Sequence, residues 1–192
     1  MRIIESAGYR QMPWKNGAGT TAEIAVAPPG ATTDDFDWRI SMAQVGADGW
    51  FSEFPQIDRT LAVLEGNGIV LSISEAPPVR ISPASIPYSF AADAPAFAKL
   101  VDGPILDLNV MTRRNRFTHR LLRLDTEAPV RWQLQAGITV VLSCSGALGL
   151  DDGIHSGRLP ARDAAFFESQ TRPLIVTPEG RTAIYLIELN RV

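Results

Sequence analysis

The sequence predicts an all-β fold. Apolar runs are short and aliphatic, Gly- and Pro-rich turn signals separate them at roughly even spacing, and no long amphipathic helical stretch competes with them. Extended segments are expected at 23–27, 38–45, 60–64, 69–73, 105–111, 132–135, 138–142 and 183–189. Between them lie Pro28-Pro29-Gly30, Asp48-Gly49, Gly66-Asn67-Gly68, Pro77-Pro78, Asp102-Gly103-Pro104, Asp151-Asp152-Gly153 and Glu179-Gly180, each a turn signal. Many short strands punctuated in this way favour a sandwich or a closed barrel.

A weak internal repeat divides the chain. TLAVLEGNGIVL (60–71) resembles ITVVLSCSGALGL (138–150), each reading as strand, Gly-containing turn, strand, and Asp107-Leu108-Asn109 is echoed by Glu188-Leu189-Asn190. Two tandem β-units follow, 1–115 and 116–192, with the join within 113–123. At 192 residues the chain can bury a large core without disulfides. The lone Cys144, next to the apolar run 138–142, is expected to be a buried structural thiol.

Net charge is −3 with both signs interspersed, which leaves no basic stripe for nucleic acid. The densest basic run, Arg113, Arg114 and Arg116 with His119 and Arg120, is expected to be a solvated connector. Glu5 interrupts the N-terminus before an apolar region can form, and no later apolar run approaches spanning length, so a cytoplasmic protein with no membrane partner is expected. With only His119 and His155, in separate polar segments, neither a metal nor a cofactor is expected. Ser41, Ser52 and Thr20 have no histidine nearby in sequence to activate them, so a hydrolase triad is unsupported.

The informative residues are charged ones inside strands. Because side chains alternate across a strand, Arg39 and Ser41 share one face of 38–45, while Asp107, Asn109, Met111 and Arg113 share one face of 105–113. Arg59 lies on the face of Leu61 and Val63, the face expected to turn inward. A buried guanidinium stays protonated and needs a carboxylate or phosphate, from the protein or from a ligand. Asp58 and Asp107 are the internal candidates, and Asp107 is the one acid on the matching polar rows. Two arginines, Lys15 and Arg113 therefore outnumber the acids, and a ligand carboxylate would supply the difference. The stretch 12–21, MPWKNGAGTT, offers a cation, an amide and two hydroxyls on a Gly-rich loop. It lacks the glycine spacing and following helix of a phosphate-binding loop.

Several blocks resemble the HutD/Ves family: PWKNGAGTT (13–21) followed by Glu23-Ile24, FDWRIS (36–41), FSEFP (51–55), DRTL (58–61) with Leu64-Glu65-Gly66, and Gly103-Pro104 with DLNVMTRR (107–114). The resemblance is strong over the first 115 residues or so. Ala18 departs from the Gly-Gly-Gly common in that loop. The resemblance implies a bicupin, two cupin-like barrels in tandem, the first carrying the ligand pocket. It also implies a link to histidine utilisation, in which HutD proteins are regarded as regulatory rather than as pathway enzymes, and to stress for Ves relatives. Metal-binding cupins carry two His and a Glu before the hairpin glycine and a later His. This chain lacks those histidines, and the place of the Glu falls near Arg59.

Two readings of function result. In the first, a non-catalytic sensor binds a small carboxylate, with urocanate and N-formylglutamate as candidates. Arg39 and Arg59 clamp the carboxylate, with Lys15 and Arg113 adding charge. Asn16, Asp107 and Asn109 orient polar groups, and Trp14, Ser41, Phe51 and Met111 line the pocket. In the second, a metal-independent isomerase, lyase or hydrolase uses Asp107 or Glu23 as general base, although Asp107 beside arginines is expected to be acidified. A scaffold whose arginines pair internally is the bland alternative. Exposed barrel faces are compatible with a homodimer.

Overall fold

The computed structural model describes residues 1–192. Nineteen strands form: β1 (Arg2–Ile4), β2 (Arg10–Pro13), β3 (Gly19–Ala27), β4 (Trp38–Val45), β5 (Gly49–Trp50), β6 (Ile57–Glu65), β7 (Ile69–Ile73), β8 (Val79–Ile81), β9 (Tyr88–Ala91), β10 (Ala96–Leu100), β11 (Ile105–Arg113), β12 (Phe117–Thr126), β13 (Val130–Gln133), β14 (Ile138–Ser143), β15 (Leu148–Asp151), β16 (Ser156–Leu159), β17 (Ala164–Glu168), β18 (Pro173–Pro178) and β19 (Thr182–Arg191). A 3-10 turn at Ser6–Gly8 is the only helical element, and no helix is long and apolar enough to cross a membrane. The fold is all-β. The basic segment after Arg113, expected to be a connector, enters β12 at Phe117.

The chain divides into two compact units, Arg10–Thr118 with Val192, and Met1–Tyr9 with His119–Arg191. The first nine residues, expected in the N-terminal unit, belong to the other one. There β1 pairs antiparallel with β17, the Ser6 N–H donates to Asp163 at 2.8 Å, and the Tyr9 hydroxyl donates to the Arg162 carbonyl at 2.7 Å.

The unit built on Arg10–Thr118 consists of a six-stranded sheet, β2-β3-β4-β11-β6-β9, and a four-stranded sheet, β5-β10-β7-β8. Its core forms where Ala43, Val45, Leu61 and Val63 of the larger sheet meet Ile69, Leu71, Ile81 and Ala98 of the smaller. Burying each Leu or Ile there contributes about 1.5–3 kcal/mol. The expected barrel is not closed by hydrogen bonds. Both ladders end at free edges, and side-chain packing joins the two sheets. The turn from β6 to β7 depends on Gly68, which has φ +99° and lies so close to the Ile81 carbonyl that a Cβ would collide with it.

The other unit contains a five-stranded sheet, β1-β17-β14-β19-β12, and a four-stranded sheet, β13-β18-β15-β16. Val141, Ala165, Phe167, Ile184 and Leu186 meet Leu148, Leu150, Leu159, Leu174 and Val176 in its core. Asp151-Asp152-Gly153 forms a hairpin turn in which Asp152 accepts the N–H groups of Ile154 and His155 at 2.9 and 2.7 Å. Cys144 lies just beyond β14 and is half-exposed, not buried, because the strand and its core face end at Ser143.

Candidate functional site

The six-stranded sheet turns a ladder of polar side chains toward a cavity of about 550 Å³. Strand register fixes the rungs. Arg39 on β4, Met111 on β11 and Arg59 on β6 are directly paired across the sheet, and Ser41, Asn109 and Leu61 make the next rung. Ala43, Asp107 and Val63 make the third. Two interstrand steps separate the arginine backbones by about 10 Å. All of these residues except Leu61 and Val63 border the cavity, together with Trp14, Lys15, Asn16 and Phe51.

Arg59 is 5% exposed. Its Nε donates to Asn109 Oδ1 at 2.8 Å, and its Nη2 donates to the same oxygen. The Phe51 ring lies 4.2 Å from the guanidinium carbon, with Phe90 alongside at 5.6 Å. No protein carboxylate pairs directly with this guanidinium; its partner is a neutral amide. Burial pushes its pKa down to about 10, opposed by the field of Asp107 and assisted by that of Arg39, so it remains cationic at neutral pH.

Asn109 turns its amide nitrogen the other way and donates to Asp107 Oδ1 at 2.6 Å. Asp107 lies behind the cavity wall and is 0% exposed, and its Oδ2 is buried without a hydrogen-bond partner. Burial raises its pKa to about 6 against the pull of Arg59, the Asn109 hydrogen bond and the backbone N–H of Ala43. The expectation of an acidified Asp107 is therefore corrected: an amide stands between it and Arg59, and loss of water outweighs the attraction.

Arg39 differs from Arg59 in having a protein counterion. Its Nε donates to Glu23 Oε2 at 2.7 Å, with side-chain exposures of 7% and 9%. Arg10 approaches the other Glu23 oxygen at 3.8 Å from the surface. Asp107 is thus not the one acid on these rungs. Glu23 is paired with Ser41 across the sheet, and a register shift between Glu23 and Ala25 separates its alternation from that of the strand beyond. The expected clamp of two free arginines reduces to Arg59 alone.

The loop 14–18 closes the hairpin from β2 to β3 at the cavity mouth. The Trp14 N–H bonds the Gly19 carbonyl at 2.9 Å, and the Trp14 indole donates to Thr21 Oγ1 at 2.8 Å. The Asn16 Oδ1 accepts the Ala18 N–H at 3.1 Å, so it caps its own turn. Lys15 sits exposed on the rim. Two residues go elsewhere. Arg113 does not line the cavity; it donates to the carbonyls of Phe36 and Asp34 at 2.9 and 3.0 Å, because it lies at the far end of β11. Asp58 pairs with the guanidinium of Arg114 at 2.7 Å and with neither inward arginine.

The HutD family model matches residues 6–185. Protein Ves of Citrobacter koseri is 36% identical over 182 residues, covering 93% of this chain and 91% of the relative. An uncharacterized 21.2 kDa protein from the hutC 3′ region of Pseudomonas putida is 33% identical over 125 residues, 65% of each chain. HutD of Pseudomonas fluorescens, determined in a formate condition, superposes with a TM-score of 0.85 at 29% identity, covering 100% of this chain and 98% of that one. A cupin 2 conserved barrel domain protein from Leptotrichia buccalis, at 13% identity, covers 97% of this chain and 98% of its own with a TM-score of 0.58, a likeness that establishes a cupin-like fold. With the family model matched over nearly its whole length, the chain belongs to the HutD family.

Proposed function

We propose that this protein is a cytoplasmic, non-catalytic binding protein of histidine utilisation, whose cavity captures a small carboxylate at Arg59. Each unit is read as one module of a bicupin, and only the one spanning Arg10–Thr118 carries this site. The observation behind the reading is that Arg59 is a buried cation on a cavity wall, held by a neutral amide instead of a carboxylate. A bound carboxylate would supply the missing anion. Charge-assisted hydrogen bonds contribute about 1.5–3 kcal/mol each, and with apolar contact from Trp14, Phe51 and Met111 this reaches micromolar affinity. The paired Arg39 and Glu23 then serve as a polar wall, not as a second anchor. The place of one relative in a hutC region and the formate condition of another support the choice of histidine-degradation acids, urocanate and N-formylglutamate, and of formate as a minimal probe.

Isothermal titration of formate, urocanate and N-formylglutamate into the wild type and Arg59→Met tests this. At least one acid is expected to bind the wild type and to lose most of its affinity in the variant. Indifference to all three, or equal binding by both proteins, overturns it.

A second reading, a metal-independent enzyme with Asp107 as general base, draws on the Asp107 pKa near 6. The complete burial of that carboxyl counts against it, since no substrate atom reaches it without rearrangement. Turnover of either pathway acid, abolished in a folded Asp107→Asn variant, would favour the enzyme.

A further inference from the structure

We infer that anion capture at Arg59 is coupled to uptake of a proton by Asp107, so that the cavity senses a small carboxylate and acidity together. The inference rests on the anion reading above and names how the same site is regulated.

Three observations carry it. First, Arg59, Asn109 and Asp107 form one buried chain in which the amide can point only one way, with its oxygen on the cation and its nitrogen on the carboxylate. Second, Asp107 Oδ2 is enclosed and has no hydrogen-bond partner, so it can take a proton without breaking any bond in the chain. Third, the charge around Asp107 is asymmetric. From β6 it meets Arg59, and from β4 the backbone N–H of Ala43, while Arg39 lies nearer Arg59 and is neutralised by Glu23 of β3. The facing sheet turns Ala98, Ile69 and Leu71 inward, and Lys15 and Asp48 are exposed at the cavity rim. Arg59 is therefore the main support of an ionised Asp107.

An anion on Arg59 cancels that support. The pair of Arg59 and Asp107 becomes a triad with a surplus negative charge in a poorly solvated place, and like charges in one site cannot all stay ionised. The proton goes to Oδ2, and the net charge of the buried group is restored. Linkage is reciprocal: a ligand that raises the proton affinity of Asp107 binds more tightly once the proton is present. Affinity therefore rises as pH falls through the range in which Asp107 titrates, by about tenfold for each unit of pKa that the anion adds.

Formate is a suitable probe because it does not titrate between pH 5.5 and 8 and brings no proton of its own. Its binding is measured by calorimetry across that range, and near pH 6.5 in two buffers of different ionisation enthalpy. The wild type is expected to bind more tightly at low pH and to take up a fraction of a proton per formate. Asp107→Asn is expected to bind with little pH dependence and no proton uptake. Infrared difference spectra of the wild type provide a readout that needs no variant: formate should bring up the carbonyl stretch of a protonated carboxyl. Formate binding that is lost in Arg59→Met but independent of pH, with no proton uptake and no such band, overturns the coupling and leaves the anion site standing. Absence of formate binding at every pH overturns the coupling, and the anion site falls with it if urocanate and N-formylglutamate also fail to bind.

Discussion

Arg39 and Glu23 form a nearly enclosed ion pair at 2.7 Å beside the cavity, and this pair sets Arg39 apart from Arg59 on the same rung. Removing one partner of such a pair leaves the other charged and poorly solvated, at a cost of about 3–5 kcal/mol. Glu23→Ala is expected to lower stability by about that amount in urea denaturation, with the double variant Glu23→Leu/Arg39→Met recovering most of it. A loss in Glu23→Ala below about 0.5 kcal/mol would show that the pair contributes little.

Arg59→Met should behave differently. No carboxylate pairs directly with this cation, and the methionine keeps most of its packing against Phe51. Stability of the ligand-free protein is expected to fall by only about 1–2 kcal/mol, the cost of leaving the Asn109 oxygen without its donor, while carboxylate binding disappears. A loss of several kcal/mol in thermal or chemical unfolding would instead identify Arg59 as part of a structural network.

Asp107 imposes a pH signature on folding. Its pKa is raised from 3.8 to about 6 in the folded protein, so between those values the folded state holds more proton than the unfolded chain. The contribution is fully present below about pH 4 and is lost as pH rises through about 6, amounting to roughly 3 kcal/mol. Carboxylates such as Asp93 and Asp152, whose pKa values are lowered, change in the opposite sense. The test is therefore the difference between wild type and Asp107→Asn, measured by urea denaturation from pH 4 to 8. The wild type is expected to lose stability relative to the variant as pH rises, and a difference that stays constant would show that Asp107 is not raised.

Gly19 sits where the cavity-mouth loop rejoins β3, and a Cβ there would run into the Gln44 carbonyl and the Trp14 ring. Gly19→Ala is expected to cost about 1–3 kcal/mol. It should also quench or shift Trp14 fluorescence and weaken carboxylate binding in proportion. Unchanged unfolding and emission would mean that the loop accommodates the methyl group.

Much of the ladder is legible in the sequence. β4 and β11 are aliphatic on alternate positions, so period-two reading alone put Arg39 with Ser41 and Asp107 with Asn109. What alternation within one strand cannot give is its phase against a neighbour across a bulge, and for that reason Glu23, named as a general base, is not counted with Asp107 among the acids facing the arginines. Nor does alternation report depth: Asp107 was expected near cations, but its enclosure and the intervening Asn109 amide decide its acidity. Arg113 shares the right face yet lies beyond the cavity, where the carbonyls of Asp34 and Phe36 take it. β17, Ala-Ala-Phe-Phe-Glu, is too short and uniformly apolar to show a period, and its pairing with β1 joins residues more than 150 positions apart.

That distant pairing bears on any attempt to dissect the molecule. A recombinant fragment beginning near residue 116 would expose the β17 edge that β1 now covers, leaving unfilled backbone donors and acceptors that invite other chains to add on. Such a piece would be prone to aggregate for reasons unrelated to its own core. A circularly permuted version that carries the first nine residues after Arg191 is the form in which this half should stay monodisperse.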